Sequence, residues 1–457
     1  MSNTISGIKR GKRCLTSLLL MFMIVNMLLV GGQALVFAAD MVNNEFTIQV
    51  DNASGGVYIL KKTNDGYDTN YVINPTSNPN FNIDDSRWFG DLTFRYRLDG
   101  GEWIDNVTSL SDDVRTVTQN GNQITVSYLN NSAHTYGIKN MQVIEQYTLD
   151  SNYMRWDITV KNTSGRTLEI GDLGIPLNFN HHWNSTQDVS YTQRVVRHSF
   201  VSKNGSYIVW GRPNGVGPYL IMFPVNGTSL EFKDMCRRNE GPFAMEEPRF
   251  EGLVTYFINS LWVSQNRAGA YLPATSTILP NGASKTFSFK FRWCTDEAAV
   301  QDILYQEGLI DVTVAPGMTT TTDLPVSLDL HTKKNINSVT AQYPAQTSIT
   351  RIGSSNDHNI YRISFSRLGQ NNITVNYGNN ETTVLQFYVI EPLETLINNR
   401  AQFLVNRQQE NNPSKGWYKA FMQWDMLNKR TVTRETWNPS GEWMDWHTGG
   451  SDDLGFA

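Results

Sequence analysis

The densest run of chemically competent side chains lies near the end of the chain, in Trp437-Asn-Pro-Ser-Gly-Glu-Trp443-Met-Asp-Trp446-His447-Thr-Gly-Gly-Ser-Asp452-Asp453-Leu-Gly. Three indoles, an imidazole and two adjacent carboxylates converge there on a Gly-rich turn. Aromatic faces stack on the C–H face of a sugar ring, and fixed carboxylates accept hydrogen bonds from its hydroxyls. Trp437, Trp443, Trp446 and His447 are therefore candidate substrate contacts. Asp452 and Asp453 are candidate catalytic carboxylates, because glycosidic cleavage uses carboxyl groups as acid and base. That chemistry needs a second carboxylate at a set distance, and the sequence places none. A competing account is local. Ser451 is a good helix N-cap, and two acids in the first turn are what the helix dipole favours.

Other candidates are weaker. Trp417, Phe421 and Trp424 have helical spacing, which suits core packing better than ligand contact. His181-His182-Trp183 puts two adjacent imidazoles in an extended stretch, where they face opposite ways and cannot easily grip one metal. Arg237-Arg238, beside Cys236, reads as a surface pair. There is no Walker loop, dinucleotide fingerprint, HExxH or GxSxG, so phosphate, nicotinamide, zincin and serine-esterase chemistry have no support. No cofactor or metal is expected from these motifs.

The elements that must position these groups are mostly strands. Alternating runs occur at Phe46–Val50, Leu92–Arg97, Gln123–Tyr128, Gln142–Thr148, Met154–Val160, Tyr207–Trp210, Tyr219–Phe223 and Thr286–Trp293. Turn signals separate them at Asp99-Gly100-Gly101, Asn120-Gly121, Asn204-Gly205 and Asn226-Gly227. The spacing predicts a large antiparallel two-sheet sandwich over 41–294. A linker helix over 295–309 is expected next, capped by Thr295, with Asp296 and Glu297 in its first turn and Gly308 at its end. Short strands then imply an immunoglobulin-like module over 310–391. From Pro392 the period turns helical, with Leu393, Leu396, Ile397, Phe403 and Leu404 on one stripe and a second helix expected from Lys415 to Lys429. The series stops at Ala457 as a further helix begins, which reads as a fragment of a longer protein.

Composition narrows the setting. The 457 residues carry a net charge of -5 with 18% charged residues, and no basic stripe exists, so nucleic acid is not an expected partner. Aromatic residues reach 11%, including 12 Trp, in a chain rich in Asn, Thr, Ser and Gly, a profile that suits a secreted β protein handling carbohydrate. The N-terminus has the parts of a secretory signal. Lys9, Arg10, Lys12 and Arg13 precede an apolar run over Leu15–Val30, and Val36-Phe37-Ala38 offers a cleavage site after Ala38. The expected product is extracellular, with a signal peptide over 1–38 and no membrane span after cleavage. Cys14 leaves with the signal, and nothing in the sequence brings Cys236 and Cys294 together. The many Asn-x-Ser/Thr sequons follow from Asn-rich composition.

Three stretches carry a family resemblance: Glu169-Ile-Gly-Asp-Leu-Gly-Ile-Pro-Leu-Asn-Phe-Asn180, Trp210-Gly-Arg-Pro-Asn-Gly-Val-Gly-Pro218 and Gly449-Gly-Ser-Asp-Asp-Leu-Gly455. The chain resembles secreted bacterial six-hairpin glycosidase-like proteins. The resemblance implies a galactose-mutarotase-like β-supersandwich, a small β module and an (α/α)6 toroid begun over 392–457. It also implies that Trp446, His447, Asp452 and Asp453 sit on the rim of a glycan cleft, with a carbohydrate as ligand. The function expected is that of a glycoside hydrolase. A polysaccharide lyase on the same architecture and a non-catalytic glycan-binding or cell-surface protein are the alternatives.

Overall fold

The computed structural model describes residues 37–72, 88–177, 179–180, 187–235, 254–267, 269–296 and 298–432. The chain is mainly β. It divides into two compact units, one reaching Asp311 and including 378–383, the other formed by 312–377 and the residues from 384 onward.

The first unit is built on two large sheets. Eight antiparallel strands run in the spatial order Val196–Phe200, Tyr207–Gly211, Tyr219–Val225, Ser284–Cys294, Met154–Asn162, Met141–Leu149, Gln123–Tyr128 and Arg115–Asn120. The second sheet is ordered Phe232–Met235, Val254–Ser260, Leu168–Pro176, Thr93–Leu98 and Ile104–Val107, with Thr277–Leu279 paired onto the start of Leu168–Pro176. A three-stranded sheet, Phe37–Val42, Phe46–Asp51 and Val57–Lys62, completes the unit.

Period-two alternation explains the large sheets. In Met141–Leu149 every second residue is buried, Met141, Val143, Glu145, Tyr147 and Leu149 sharing the inner face. Phe94 and Tyr96 are buried on the inner face of the six-stranded sheet, while Arg95 and Arg97 alternate to its outer face. Phe89 is a hub of the aromatic core, with ring centroids 5.8 Å from Tyr147, 5.0 Å from Trp156, 5.5 Å from Phe179 and 5.5 Å from Phe291. The Asn226-Gly227 turn forms as its residues dictate, both at positive φ (54° and 75°), which Gly and Asn adopt at least cost.

The linker helix spans Ala298–Gln306 and buries Val300, Ile303 and Leu304. Its cap differs from expectation: Asp296 Oδ1, not the Thr295 hydroxyl, accepts the Ala299 N–H at 2.9 Å. A carboxylate is the stronger acceptor, and the dipole favours it there.

The second unit contains a small sandwich of two four-stranded sheets. One is ordered Asp311–Ala315, Val326–His331, His358–Phe365 and Thr347–Ser355, the other Thr319–Thr321, Glu381–Ile390, Gly369–Tyr377 and Ile336–Ala341. Phe365 and Phe387 meet between them at 5.2 Å. After Pro392 a helix covers Leu393–Phe403, as the apolar period predicts, and ends in a π turn over Leu404–Gln408. The second expected helix is not formed. Residues 415–432 make turns and a hairpin, Gln423–Asp425 with Arg430–Val432. Asp425 Oδ1 accepts the N–H groups of Leu427 (2.9 Å) and Asn428 (3.0 Å), and that turn chemistry overrides the spacing of Trp417, Phe421 and Trp424. Trp424 packs edge-on against Phe403 instead, at 5.0 Å.

Candidate functional site

Trp437, Trp443, Trp446, His447, Asp452 and Asp453 lie outside the described residues, as do His181, His182, Trp183, Cys236, Arg237 and Arg238. The polar constellation that the structure does assemble is on the outer face of the six-stranded sheet.

It begins with a bulge in Leu168–Pro176. Ile170 pairs with Tyr96 but Asp172 pairs with Arg95, so Gly171 is the extra residue that slips register by one. The slip carries Asp172 to the outer face, opposite Arg95. Gly171 is required by contact: a Cβ there would lie 2.5 Å from both Cη2 and Cζ3 of Trp103.

Two ion pairs and two indoles occupy neighbouring rungs. Arg95 grips Asp105 with both arms, Nε to Oδ1 at 2.7 Å and Nη2 to Oδ2 at 2.8 Å, and its guanidinium lies 3.7 Å from the centre of the Trp262 ring. Arg97 donates to Glu169 at 2.7 Å and lies 4.5 Å from the Trp103 ring, while Ser276 donates to the other Glu169 oxygen at 2.8 Å. Planar guanidinium groups suit both the bidentate carboxylate and the ring face. Trp262 also leans on an apolar cluster of Phe232, Phe257 and Val263 beside the ion pairs.

Asp172 is the unusual member. Its side chain is fully buried, and Oδ1 accepts the N–H groups of Trp262 at 2.9 Å and Val263 at 3.2 Å. Oδ2 has no hydrogen-bond partner among the described residues. Burial pushes the carboxyl up to about 6, against the two N–H donors and Arg95, which pull it down; Asp105 adds to the rise. A carboxyl poised there is part protonated near neutrality and can donate as well as accept. Asp172 itself is buried, whereas its neighbours Asp105, Arg97 and Glu169 are partly exposed.

Two further buried carboxyl groups set the contrast. Glu231 accepts from Lys203 Nζ at 2.7 Å, and from Ser260 Oγ, Thr275 N–H and Thr275 Oγ1 at 2.8 Å each. Every lone pair is committed, so Glu231 is a structural staple. Glu145 sits in the sandwich interior, where Oε2 accepts from Tyr147 OH and Trp156 Nε1 at 3.0 Å and Oε1 has no partner among the described residues. Burial holds it well above the usual carboxylate range, opposed by those two donors and reinforced by Asp91.

The motif stretches are also structural in part. Phe179 and Trp210 stack at 4.1 Å, joining the first two stretches. Arg212 is buried and donates to Asp65 at 2.7 Å, to Thr69 at 3.0 Å and to the carbonyls of Val216 and Gly217. Cys294 is a free, buried thiol that burial pushes up to about 12. No helix among the described residues is long and apolar enough to cross a membrane.

A solved polysaccharide lyase shares this fold across 87% of the chain, at a TM-score of 0.63 and 14% sequence identity. The chain spans about half of that protein, 54% of its length. A galactose mutarotase related enzyme from Lactobacillus acidophilus matches 57% of the chain and 98% of its own length at 11% identity and a TM-score of 0.35. A galactose mutarotase-like protein from Lactobacillus casei matches 56% and 99% at 12% identity, again at 0.35. No curated protein matches in sequence. Residues 51–455 match the family of unknown function DUF5695, and the chain belongs to that family.

Proposed function

We propose that this chain is the β portion of a secreted enzyme that cleaves an extracellular polysaccharide. The observation that carries the reading is the fold shared with a polysaccharide lyase over 87% of the chain. The sheet face bearing Arg95, Asp105, Arg97, Glu169, Trp103 and Asp172 supports it, since alternating guanidinium and carboxylate groups beside indoles match sugar hydroxyls and ring faces. In this reading the chain from Pro392 opens a helical toroid, and Asp452 and Asp453 serve at its rim with Trp437, Trp443, Trp446 and His447. Hydrolysis is the reaction that paired carboxylates favour. Elimination next to a uronate carboxylate is the second reading, favoured by the lyase fold. Export proceeds through cleavage after Ala38. The strand Phe37–Val42 straddles that site, and its Ala39–Val42 part, paired with Thr47–Val50, stays after the cut.

Full-length protein incubated with neutral and uronate-containing polysaccharides tests this directly. Hydrolysis is read as new reducing ends without ultraviolet absorbance; elimination gives new ends together with an absorbing unsaturated product. Asp452→Asn and Asp453→Asn are expected to lower either rate by at least about 100-fold, the usual contribution of an acid–base group. Cleavage at an unchanged rate in both variants refutes the site, and neither cleavage nor binding of any glycan refutes the function.

A further inference from the structure

Two strands end the large sheets of the first unit: Val196–Phe200 closes the eight-stranded sheet and Phe232–Met235 the six-stranded one. Each carries a cation on its inner face. Arg197 is the direct partner of Trp210, a buried ring that stacks on Phe179 in the core. Paired residues share a face of the sheet, so Arg197 lies on the core side. Lys233 is the direct partner of Tyr256, while Phe232 alternates outward into the cluster with Phe257 and Val263. Tyr256 joins the two cations, since the Arg197 guanidinium lies 6.0 Å from its ring centre. The tyrosine is fully buried, and its hydroxyl makes no hydrogen bond of good geometry among the described residues. Burial pushes that hydroxyl up, against Arg197 and the Ser199 hydroxyl, which lower it.

Neither cation has an ion-pair partner among the described residues. Asp234, on the outward side of its strand, pairs with Arg267 at 3.0 Å, and Glu231 is taken by Lys203 at 2.7 Å. Lys233 is exposed, yet desolvation first and the Arg197 charge second hold its ammonium below the usual lysine range. Two like charges that hinder each other, with no carboxylate to balance them and a spare hydroxyl beside them, make a place for an anion. We propose that Arg197 and Lys233 bind an anionic group of an acidic glycan, a carboxylate or a sulfate, with the Tyr256 hydroxyl as a further donor. The guanidinium supplies a planar pair of N–H groups to two oxygens, and the ammonium adds a point charge. The proposal rests on the polysaccharide reading above and narrows its substrate to an acidic one.

Calorimetric titration of the full chain with an oligogalacturonate, a sulfated oligosaccharide and a neutral oligosaccharide of similar length provides the test. The variants are Arg197→Met, Lys233→Met, their double and Tyr256→Phe, with Lys285→Met as an exposed lysine elsewhere. Near-ultraviolet circular dichroism checks that each folds. Wild type is expected to bind at least one anionic probe tenfold or more above the neutral one, and the preferred probe tells carboxylate from sulfate. Either cation change should weaken that binding by at least about tenfold, the usual loss of a charge-assisted hydrogen bond. The double variant should fall to the neutral level, Tyr256→Phe should lose about threefold, and Lys285→Met should bind as wild type. Anionic and neutral probes bound alike, a double variant that binds as wild type, or an equal loss in Lys285→Met overturns the site. Unchanged affinity in folded Tyr256→Phe overturns the role of its hydroxyl. Full-rate cleavage of an acidic polysaccharide by the double variant would strike the site and leave the cleavage reading; site-dependent binding without cleavage of any glycan would do the reverse.

Discussion

Asp172 is where stability and pH are most tightly linked on the candidate face. Its carboxyl rises from 3.8 to about 6 because it is fully buried, with no partner for Oδ2 among the described residues. A carboxyl raised in the folded state supports folding fully at pH values below its unfolded value. That support is lost as pH rises through the folded value of about 6. A rise of roughly two pH units, at 1.36 kcal/mol for each, amounts to about 3 kcal/mol lost between pH 4 and pH 8. Asp172→Asn removes the titration while its amide oxygen still accepts the Trp262 and Val263 N–H groups. The stability of the variant relative to wild type should therefore climb by about 3 kcal/mol across that range, whatever the fixed effect of the amide beside Arg95. Urea unfolding at several pH values, followed by indole fluorescence, measures the difference. Indoles lie in both units, which need not unfold in one step, so the phase that shifts with Asp172→Asn is the one to follow. A difference that stays flat from pH 4 to pH 8 would refute the assignment of a strained, proton-binding carboxyl.

Two other perturbations test the same physics elsewhere. Gly171→Ala sets a methyl 2.5 Å from two Trp103 carbons and is expected to destabilise the first unit by about 1–3 kcal/mol in urea unfolding; in a Trp103→Ala background most of that loss should vanish, and persistence of the full loss would point to backbone strain instead. Glu145→Gln keeps an acceptor for Tyr147 and Trp156 but cannot ionise. Since burial raises Glu145, wild type should lose stability as pH rises through its folded value, and the variant should show a flatter alkaline limb; parallel profiles would mean that Glu145 is solvated.

What the sequence makes legible follows from how local each signal is. Strands with one buried face announce themselves by alternation, and Gln123–Tyr128 and Met141–Leu149 sit where the pattern puts them. Leu168–Pro176 does not alternate: every residue but Glu169 is buried, because its outer face is covered too. Its glycines resemble turn signals but accommodate Trp103 at Gly171 and the Thr93 and Thr255 side chains at Gly174. For the same reason Asp172 and Arg95 escape a sequence reading. Only an Asp inside an apolar Gly-containing run hinted at a bulge, and the pairing that gives it meaning links residues 77 positions apart (172 − 95). The misread helix over 415–429 is the converse case, where a true period was outcompeted by the Asp425 turn.

Glu231, Glu145 and Asp172, three of the buried carboxyl groups, separate structural from chemical roles by which lone pairs are already taken. Glu231, with four donors, can neither give up a proton site nor accept a ligand without breaking the contacts between Lys203, Ser260 and Thr275. Glu145 has a spare oxygen but faces the sealed aromatic core, so protons reach it only as fast as the sandwich opens. Of these three, Asp172 combines an oxygen with no partner among the described residues with a place on the outer face, beside a partly exposed rim of arginine and carboxylate. The same carboxylate caps the short helix Val263–Asn266, since Oδ1 accepts the Trp262 and Val263 N–H groups. Protonation weakens an acceptor, so acid should weaken the hold of Asp172 on the Trp262 and Val263 N–H groups. That loosening is local, while the same proton removes the cost of burying the Asp172 charge, two opposite responses at one carboxyl.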